Sequence, residues 1–516
     1  MIKKRVYLIF FLIIIAFCVL VSINYMQNSK PGSFLGERFL SEYSKSMKWF
    51  HFNNAIDIKS YGLNKPSTKD ALVLDFSEND LKYNDSIISL AIKNGEYFDD
   101  GLKEWKKTHI IYKKKRYKVK YKFHGSHNFN YKKGKISLKI KSKKNINGAK
   151  KFTLISGFQE ASFINVFLAV QENKLGLISP DPGEIILANV NGVVEDYRFT
   201  EDLSLDYLSY EFNLKNFHMF EVSDNWERNG GPHYSELDKF YYYLDEENLK
   251  LENLKFIKYK NFILSMTKHE KGDTFNNIDY QYVGRFLASL YFFYGSHHIQ
   301  GDNNKLLYNY ESDLVYPVAR NEGVYEKISN ILDFDEGVFF GRKSATFNLY
   351  RKFVCNDSIK LFRDKELFKL INNKKKIAFE LDSIHSLYKD LHKYYNIGYM
   401  NLRFDHKRLK EIIDHNANSI DKYLNNGEVI IAYDEMNKTM KIATDYRVPL
   451  KLIDIKNSVS YFINGVNFEV VNNKIKTHLV EKEIILKNVI TKAQLIVVNL
   501  VTQDTIPNSK IIFNHF

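Results

Sequence analysis

The sequence predicts an α+β protein of two lobes, a β-rich lobe and then a helical lobe. A small β-sandwich follows them, and a transmembrane anchor precedes them. Three observations predict this. Period-two alternation dominates from Trp105 to about Asp202, helical spacing takes over from Ser235, and from Glu428 short apolar runs return with turn residues between them. At 516 residues the chain is too long for one ordinary core. The predicted limits are 1–26 for a cytoplasmic tip and anchor, 27–69 for a linker or stalk, 70–425 for the bilobal domain and 426–516 for the sandwich.

The anchor rests on MIKKR followed by an apolar run from Val6 to Ile23, about 18 residues, near the minimum that spans a bilayer. Lys3, Lys4 and Arg5 orient it with its basic end in the cytoplasm and everything after Asn24 exported. Phe17 before Cys18 does not fit a lipoprotein signal, and no small-x-small site follows the run, so an uncleaved signal anchor is expected. Cys18 lies in the apolar run and Cys355 stands alone beyond it, which excludes an intrachain disulfide in the exported part and a cysteine metal cluster. A single-pass protein of a bacterial cytoplasmic membrane, with its bulk outside the cytoplasm, fits this pattern.

The first lobe begins with ALVLDF, a buried-type strand, and a helix read from Ile87 to Asn94. THIIYKKKRYKVKYKFHG alternates about a turn at Lys113 to Arg116. In KGKISLKIK, Lys135, Ser137, Lys139 and Lys141 share one face, and Ile136, Leu138 and Ile140 face the core. FTLIS, from Phe152 to Ser156, is a further strand or extended piece. SFINVFLAVQENKLGL then reads as a helix with Ser162 as its cap, an apolar stripe of Phe163, Val166, Phe167 and Val170, and Gly176 as its stop. Asn191-Gly192 marks the turn of the hairpin that follows.

In the second lobe, helices are expected over Ile278–His297, Phe362–Tyr395 and Leu402–Leu424 from i, i+3, i+4 apolar spacing. Between the first two lies HHIQGDNNK-LLYNY-ESD-LVYPVA-RNEG, a hairpin with acids and amides at two adjacent element ends. A solvated hairpin with polar turns is the plain alternative. From Glu428, VIIAYDEMNKTMKIAT, VPLKLIDI, VSYFING, VNFEVVNN, KEIILKNV and AQLIVVNLVTQ read as strands of the sandwich.

A β lobe with one helix, a hinge and a helical lobe is the plan of a phosphotransferase, which needs cations on the nucleotide phosphates, an acid to orient them and a carboxylate beside the acceptor hydroxyl. Lys135 or Lys139 would touch phosphates, with Glu172 as their partner; a solvated helix position is the alternative for Glu172. Thr200 and Glu201, with Asp202, would form the hinge over the base. Asp302 would be the catalytic carboxylate, Asn304 a metal ligand, and Asn321 or Glu322 would complete the metal site. No G-x-G-x-x-G loop or Walker lysine motif occurs, so an ordinary protein kinase or P-loop enzyme is not supported. The net charge of +14, with lysines dense between Lys103 and Lys151, suits an anionic partner: nucleotide phosphate, anionic glycan or lipid headgroups. No nucleic-acid module is recognisable. His124 and His127, spaced H-x-x-H, and His297, His298 and Asp302 offer a zinc alternative in loops.

The succession KRYKVKYKFHGS, KGKISLKIK, KKFTLISGF, FINVFLAVQENKLGLISP, VNGVVEDYRFTEDLSLDYL and GDNNKLLYNYESDLVYPVARNEG resembles the spore coat protein H (CotH) kinase-like family over roughly residues 70 to 345. The resemblance implies an atypical bilobal protein-kinase-like fold, ATP as phosphoryl donor and Mg2+ as cofactor. It makes Asp302 the loop aspartate and Asn304 the nearby amide. An envelope protein or a surface glycan would be the acceptor. Two departures stand out: His124 precedes Gly125 where the family has Arg or Lys, and Asn321 stands where its metal-binding aspartate is expected, with Glu322 one residue on. An amide is a poorer partner for a dication than a carboxylate. The alternative is therefore an inactive relative, a binding or assembly factor for cell-surface polysaccharide.

Overall fold

The computed structural model describes residues 67–94, 104–125, 131–132, 135–156, 162–190, 192–221, 277–293, 305–320, 350, 353–396, 406–471, 474–486 and 492–515. They belong almost wholly to one compact unit, Ser67–Asp390 with Asn401–Phe516. The expected anchor at Val6–Ile23 and the linker lie outside the described residues. Among the described residues no helix is long and apolar enough to cross a membrane. The chain is a mixed α and β protein, as its patterning predicts.

The first seven principal strands close into a barrel. They are β1 (Leu72–Asp75), β2 (Lys106–Tyr112), β3 (Lys115–Phe123), β4 (Leu138–Ile146), β5 (Ala149–Ser156), β6 (Glu184–Val190) and β7 (Val193–Glu201), in the order β1-β2-β3-β4-β5-β7-β6. The neighbours pair antiparallel except at the closure, where β1 meets β6 in parallel, Leu72 opposite Ala188. Alternation does the sorting. Ile110, Val119, Tyr121, Phe123, Leu138, Ile140, Phe152, Leu154, Tyr197 and Phe199 are buried in one cluster, and the lysines between them face outward. Phe152 and Phe199 stack inside at 4.4 Å. Burying side chains of this size contributes about 2 kcal/mol each before chain entropy is counted.

Turn chemistry sets the hairpins. Lys113 and Lys114 both have positive φ between β2 and β3, and Asn147 and Gly148 do so between β4 and β5, as two-residue hairpin turns require. The helix α1 (Glu78–Asn94) is nine residues longer at its start than the predicted Ile87–Asn94. Its start is a capping box that periodicity did not reveal: the Asp80 N–H donates to Ser77 Oγ at 3.2 Å, and the Ser77 N–H donates to Asp80 Oδ2 at 3.1 Å. Ile87 and Ile88 join the barrel cluster, and Tyr121 OH donates to Asn84 Oδ1 at 2.9 Å.

Helix α2 (Ser162–Lys174) ends where predicted, with Gly176 at φ +67° and the Leu177 N–H returning to Glu172 O at 3.0 Å. It is buried on more sides than a stripe. Ile164, Leu168 and Ala169 are enclosed along with Phe163, Val166 and Phe167, while Val170 is half-buried. A short helix, α3 (Leu205–Glu211), follows the barrel.

Beyond it, β8 (Phe217–Glu221), β9 (Lys305–Asn309) and β10 (Leu314–Val318) form a three-stranded sheet, with helix α4 (Tyr280–Phe293) between β8 and β9 in the chain. The hairpin read at LLYNY and LVYPV forms with Leu307 opposite Tyr316; β8 was not foreseen. Helices α5 (Asp357–Asn372), α6 (Lys374–Asn396) and α7 (His406–Asn425) follow. The helical spacing read from Phe362 to Tyr395 is realised as two helices that break at Asn373, whose N–H caps α5 by returning to Lys369 O at 3.0 Å. Gly284 of α4 lies against the α5 backbone: a Cβ there would come within 2.6 Å of Phe362 Cβ.

The C-terminal strands are β11 (Val429–Asp434), β12 (Thr439–Thr444), β13 (Leu450–Asp454), β14 (Val459–Ile463), β15 (Asn467–Val471), β16 (Lys474–His478), β17 (Val480–Ile485), β18 (Leu495–Asn499) and β19 (Ile511–His515). They make sheets of order β17-β12-β11-β19 and β14-β13-β18 and the ladder β15-β16. In β11, β13 and β18 alternate residues are buried, so each larger sheet has a core face. These sheets are tied to the helices by Lys360 Nζ donating to Val466 O at 2.8 Å and Asn499 Nδ2 donating to Leu424 O at 2.8 Å.

Candidate functional site, a cationic cluster outside the barrel

Because Leu138 and Ile140 fill the barrel, Lys139 between them projects outward. Lys139 Nζ lies 3.9 Å from Asp202 Oδ1, and both side chains are about one-third exposed. Asp202 is the first residue past β7. Its N–H donates to Lys151 O at 2.9 Å, and its carbonyl accepts from the Ser204 N–H at 2.6 Å, so its backbone is fixed on both sides.

Three other residues bring charge to the same carboxylate. His124 follows β3, and its N–H donates to Ser137 O at 2.9 Å. Lys141 is two residues along β4 from Lys139. Lys305 is the first residue of β9. Burial pushes the Asp202 carboxyl up, but the charges of Lys139, His124, Lys305 and Lys141 outweigh it and hold the group below the usual carboxylate range. Lys305 is 8% exposed. Burial, followed by the charges of Arg320 and Lys139, holds its ammonium well below the usual lysine range, with Asp202 opposing. Arg320, two residues past β10, thus belongs to the same cluster.

Hydrogen bonds to the segment after α2 hold the hairpin in place. The Ala319 N–H donates to Ile178 O at 2.8 Å. Tyr282 OH of α4 donates to Pro317 O at 2.8 Å and accepts from the Ile178 N–H at 2.9 Å. The same segment grips β7. Thr200 Oγ1 donates to Asp181 O at 2.9 Å, and the Glu201 N–H donates to Asp181 Oδ2 at 3.2 Å. Gly183 is required here. Its φ is +67°, and a Cβ would fall 2.2 Å from Phe199 O.

Thr200 and Glu201, read as a hinge, are therefore residues of β7, opposite Thr153 and Phe152 of β5. Burial, then the carboxylates of Asp181, Asp206, Glu211 and Asp202, raise the Glu201 carboxyl. Glu172 is 1% exposed, which rules out a solvated helix position. Burial, with the Glu172 carboxylate adding to it, keeps the nearby Tyr282 hydroxyl protonated, although the backbone hydrogen bond at Ile178 and the charge of Arg285 act against it. Lys135 begins a two-residue strand, Lys135–Ile136, paired with Tyr131–Lys132. Asp302, Asn304, Asn321 and Glu322 lie outside the described residues, as do His127, His297 and His298. Among the described residues no group of three or more His, Cys, Asp or Glu is placed to hold a metal.

Lys305 and Arg320 were not singled out in the sequence. They flank the candidate metal-ligating amides, Lys305 directly after Asn304 and Arg320 directly before Asn321, and a basic residue opening the buried strand KLLYN was the available signal for the first. Lys139, Lys141, Lys305 and His124 about the Asp202 carboxylate, with Arg320 beside Lys305, can hold a compact polyanion such as an oligophosphate, because Asp202 offsets only part of their positive charge. No model of a known family matches the chain, and no curated protein matches it in sequence.

Proposed function

We propose that the chain is a membrane-anchored, extracytoplasmic phosphotransferase of atypical kinase-like plan, similar to the spore coat protein H kinase-like family, that holds the phosphates of ATP in the cationic cluster. The observation that carries this reading is the 3.9 Å approach of Lys139, from the barrel, to Asp202, with Lys305 of the hairpin acting on the same carboxylate and Arg320 acting on Lys305. The donor set suits phosphate, since ammonium and guanidinium groups neutralise phosphate oxygens as charge builds on them.

On this reading Lys139 and Arg320 donate to the phosphate oxygens. An arriving anion favours the ammonium form of Lys305, which burial disfavours. Asp302 accepts the proton of the acceptor hydroxyl while that oxygen bonds to the γ-phosphorus and ADP departs. Asn304, Asn321 and Glu322 would hold Mg2+, which when bound neutralises phosphate charge. The acceptor is an envelope protein or a surface glycan. Transfer of radiolabelled γ-phosphate by the full chain in detergent tests the reading. Loss of transfer in both Lys139→Met and Asp302→Ala supports it, and transfer that survives Asp302→Ala overturns it.

A further inference from the structure

The outward face of the barrel carries a row of lysines that extends well beyond the cationic cluster and shares only Lys141 with it. Lys107 of β2 stands opposite Lys120 of β3, Lys120 opposite Lys141 of β4, and Lys141 opposite Lys151 of β5. Cross-strand partners share a face, so four ammonium groups lie side by side across four neighbouring strands. Lys122 and Lys139 form a second such pair two residues along. Lys107, Lys120 and Lys141 are exposed and Lys151 is half-buried. Among the described residues only Lys151 of this row has a carboxylate within ion-pair distance, Asp206 at 3.2 Å. Like charges placed directly opposite one another destabilise a sheet. Lysine on an edge strand guards against aggregation, but β3, β4 and β5 each have a neighbour on both sides in a closed barrel and need no such guard.

We propose that this face binds a linear acidic polysaccharide, one carboxylate or phosphate per repeat, laid across the strands. Strand spacing makes the row about 15 Å long, enough for three or four charged repeats rather than one small ion. The closed barrel curves away at either end, which a flexible polymer can follow and a flat lipid surface cannot. Trp105 lies among the cations, with Lys141 Nζ at 4.4 Å and Lys122 Nζ at 5.7 Å from its ring, and so adds an aromatic surface for a sugar. The inference stands whether or not the neighbouring cluster transfers phosphate.

The test is fluorescence anisotropy with the full chain in detergent. The probes are labelled polygalacturonate and poly(glycerol phosphate), with neutral dextran, phosphatidylglycerol vesicles and duplex DNA as competitors. Both acidic polymers should bind at about 50 mM salt and weaken with a log-log slope of roughly −3, as four engaged lysines give. The tighter of the two identifies the charged group. The double variant Lys107→Gln/Lys120→Gln should bind at least tenfold more weakly, with about half the salt slope, and yet melt no lower than the wild type, because repulsion has been relieved. Unchanged affinity in that variant, competition by dextran, or stronger competition by vesicles or DNA than by the polymers themselves would each overturn the proposal.

Discussion

Replacing Asp202 with Asn removes the carboxylate at the centre of the cluster while keeping its shape. At 3.9 Å the Lys139–Asp202 attraction is about 4 kcal/mol at an effective dielectric constant of 20. Both groups are about one-third exposed, so solvent screening and side-chain entropy reduce this to about 1 kcal/mol. Lys305 is buried and feels the same carboxylate, which brings the expected loss to about 1–2 kcal/mol, or about 1–2 °C in melting temperature for a body of this size. The folded-state carboxyl is held below its ordinary value, so its contribution is present above that value and is lost as pH falls through the folded one. The wild type and Asp202→Asn should therefore differ at pH 7 and converge only in acid, below the ordinary carboxylate range. Thermal melting with and without pyrophosphate is the assay. The variant should gain more from pyrophosphate than the wild type does, because the anion replaces the missing counter-charge. Equal melting temperatures at pH 7, or equal gains from pyrophosphate, would refute the reasoning.

Glu201→Gln should raise the melting temperature at neutral pH: a carboxyl whose folded value is raised costs stability above its ordinary range, and the gain should vanish in acid, where the wild-type group is protonated. Gly284→Ala should cost about 1–2 kcal/mol in denaturant melts, since overpacking against the α5 backbone exceeds the roughly 1 kcal/mol gained in helix propensity. Because an anion favours the Lys305 ammonium that burial disfavours, phosphate-ligand affinity in calorimetry should fall as pH rises through the alkaline range, and Lys305→Met should flatten that dependence.

Local structure was legible wherever a short-range rule was sufficient to decide it. The hairpin at β9 and β10 follows from alternation on either side of a polar turn, and α2 from its apolar spacing and the glycine that stops it. Asn147-Gly148 carries an equally clear turn signal, and the Ser77–Asp80 capping box lies hidden ahead of the apolar part of α1. Barrel closure was not legible, because Leu72–Asp75 is four residues long and its parallel partner is more than a hundred residues away. The site was legible in part. Period two places Lys139 on the outward face, but only tertiary packing brings Asp202, Lys305 and Arg320 to it from elements far apart in the chain. Glu172 was open to a solvated reading because a helix enclosed on most sides shows no clean polar face.

The measurement that tests the central claim most directly is calorimetric titration of the full chain with ATP, with and without magnesium, beside Lys139→Met. Saturable binding that strengthens with magnesium and is lost in the variant is the predicted result. No heat at millimolar ATP, or binding that survives Lys139→Met unchanged, would contradict it.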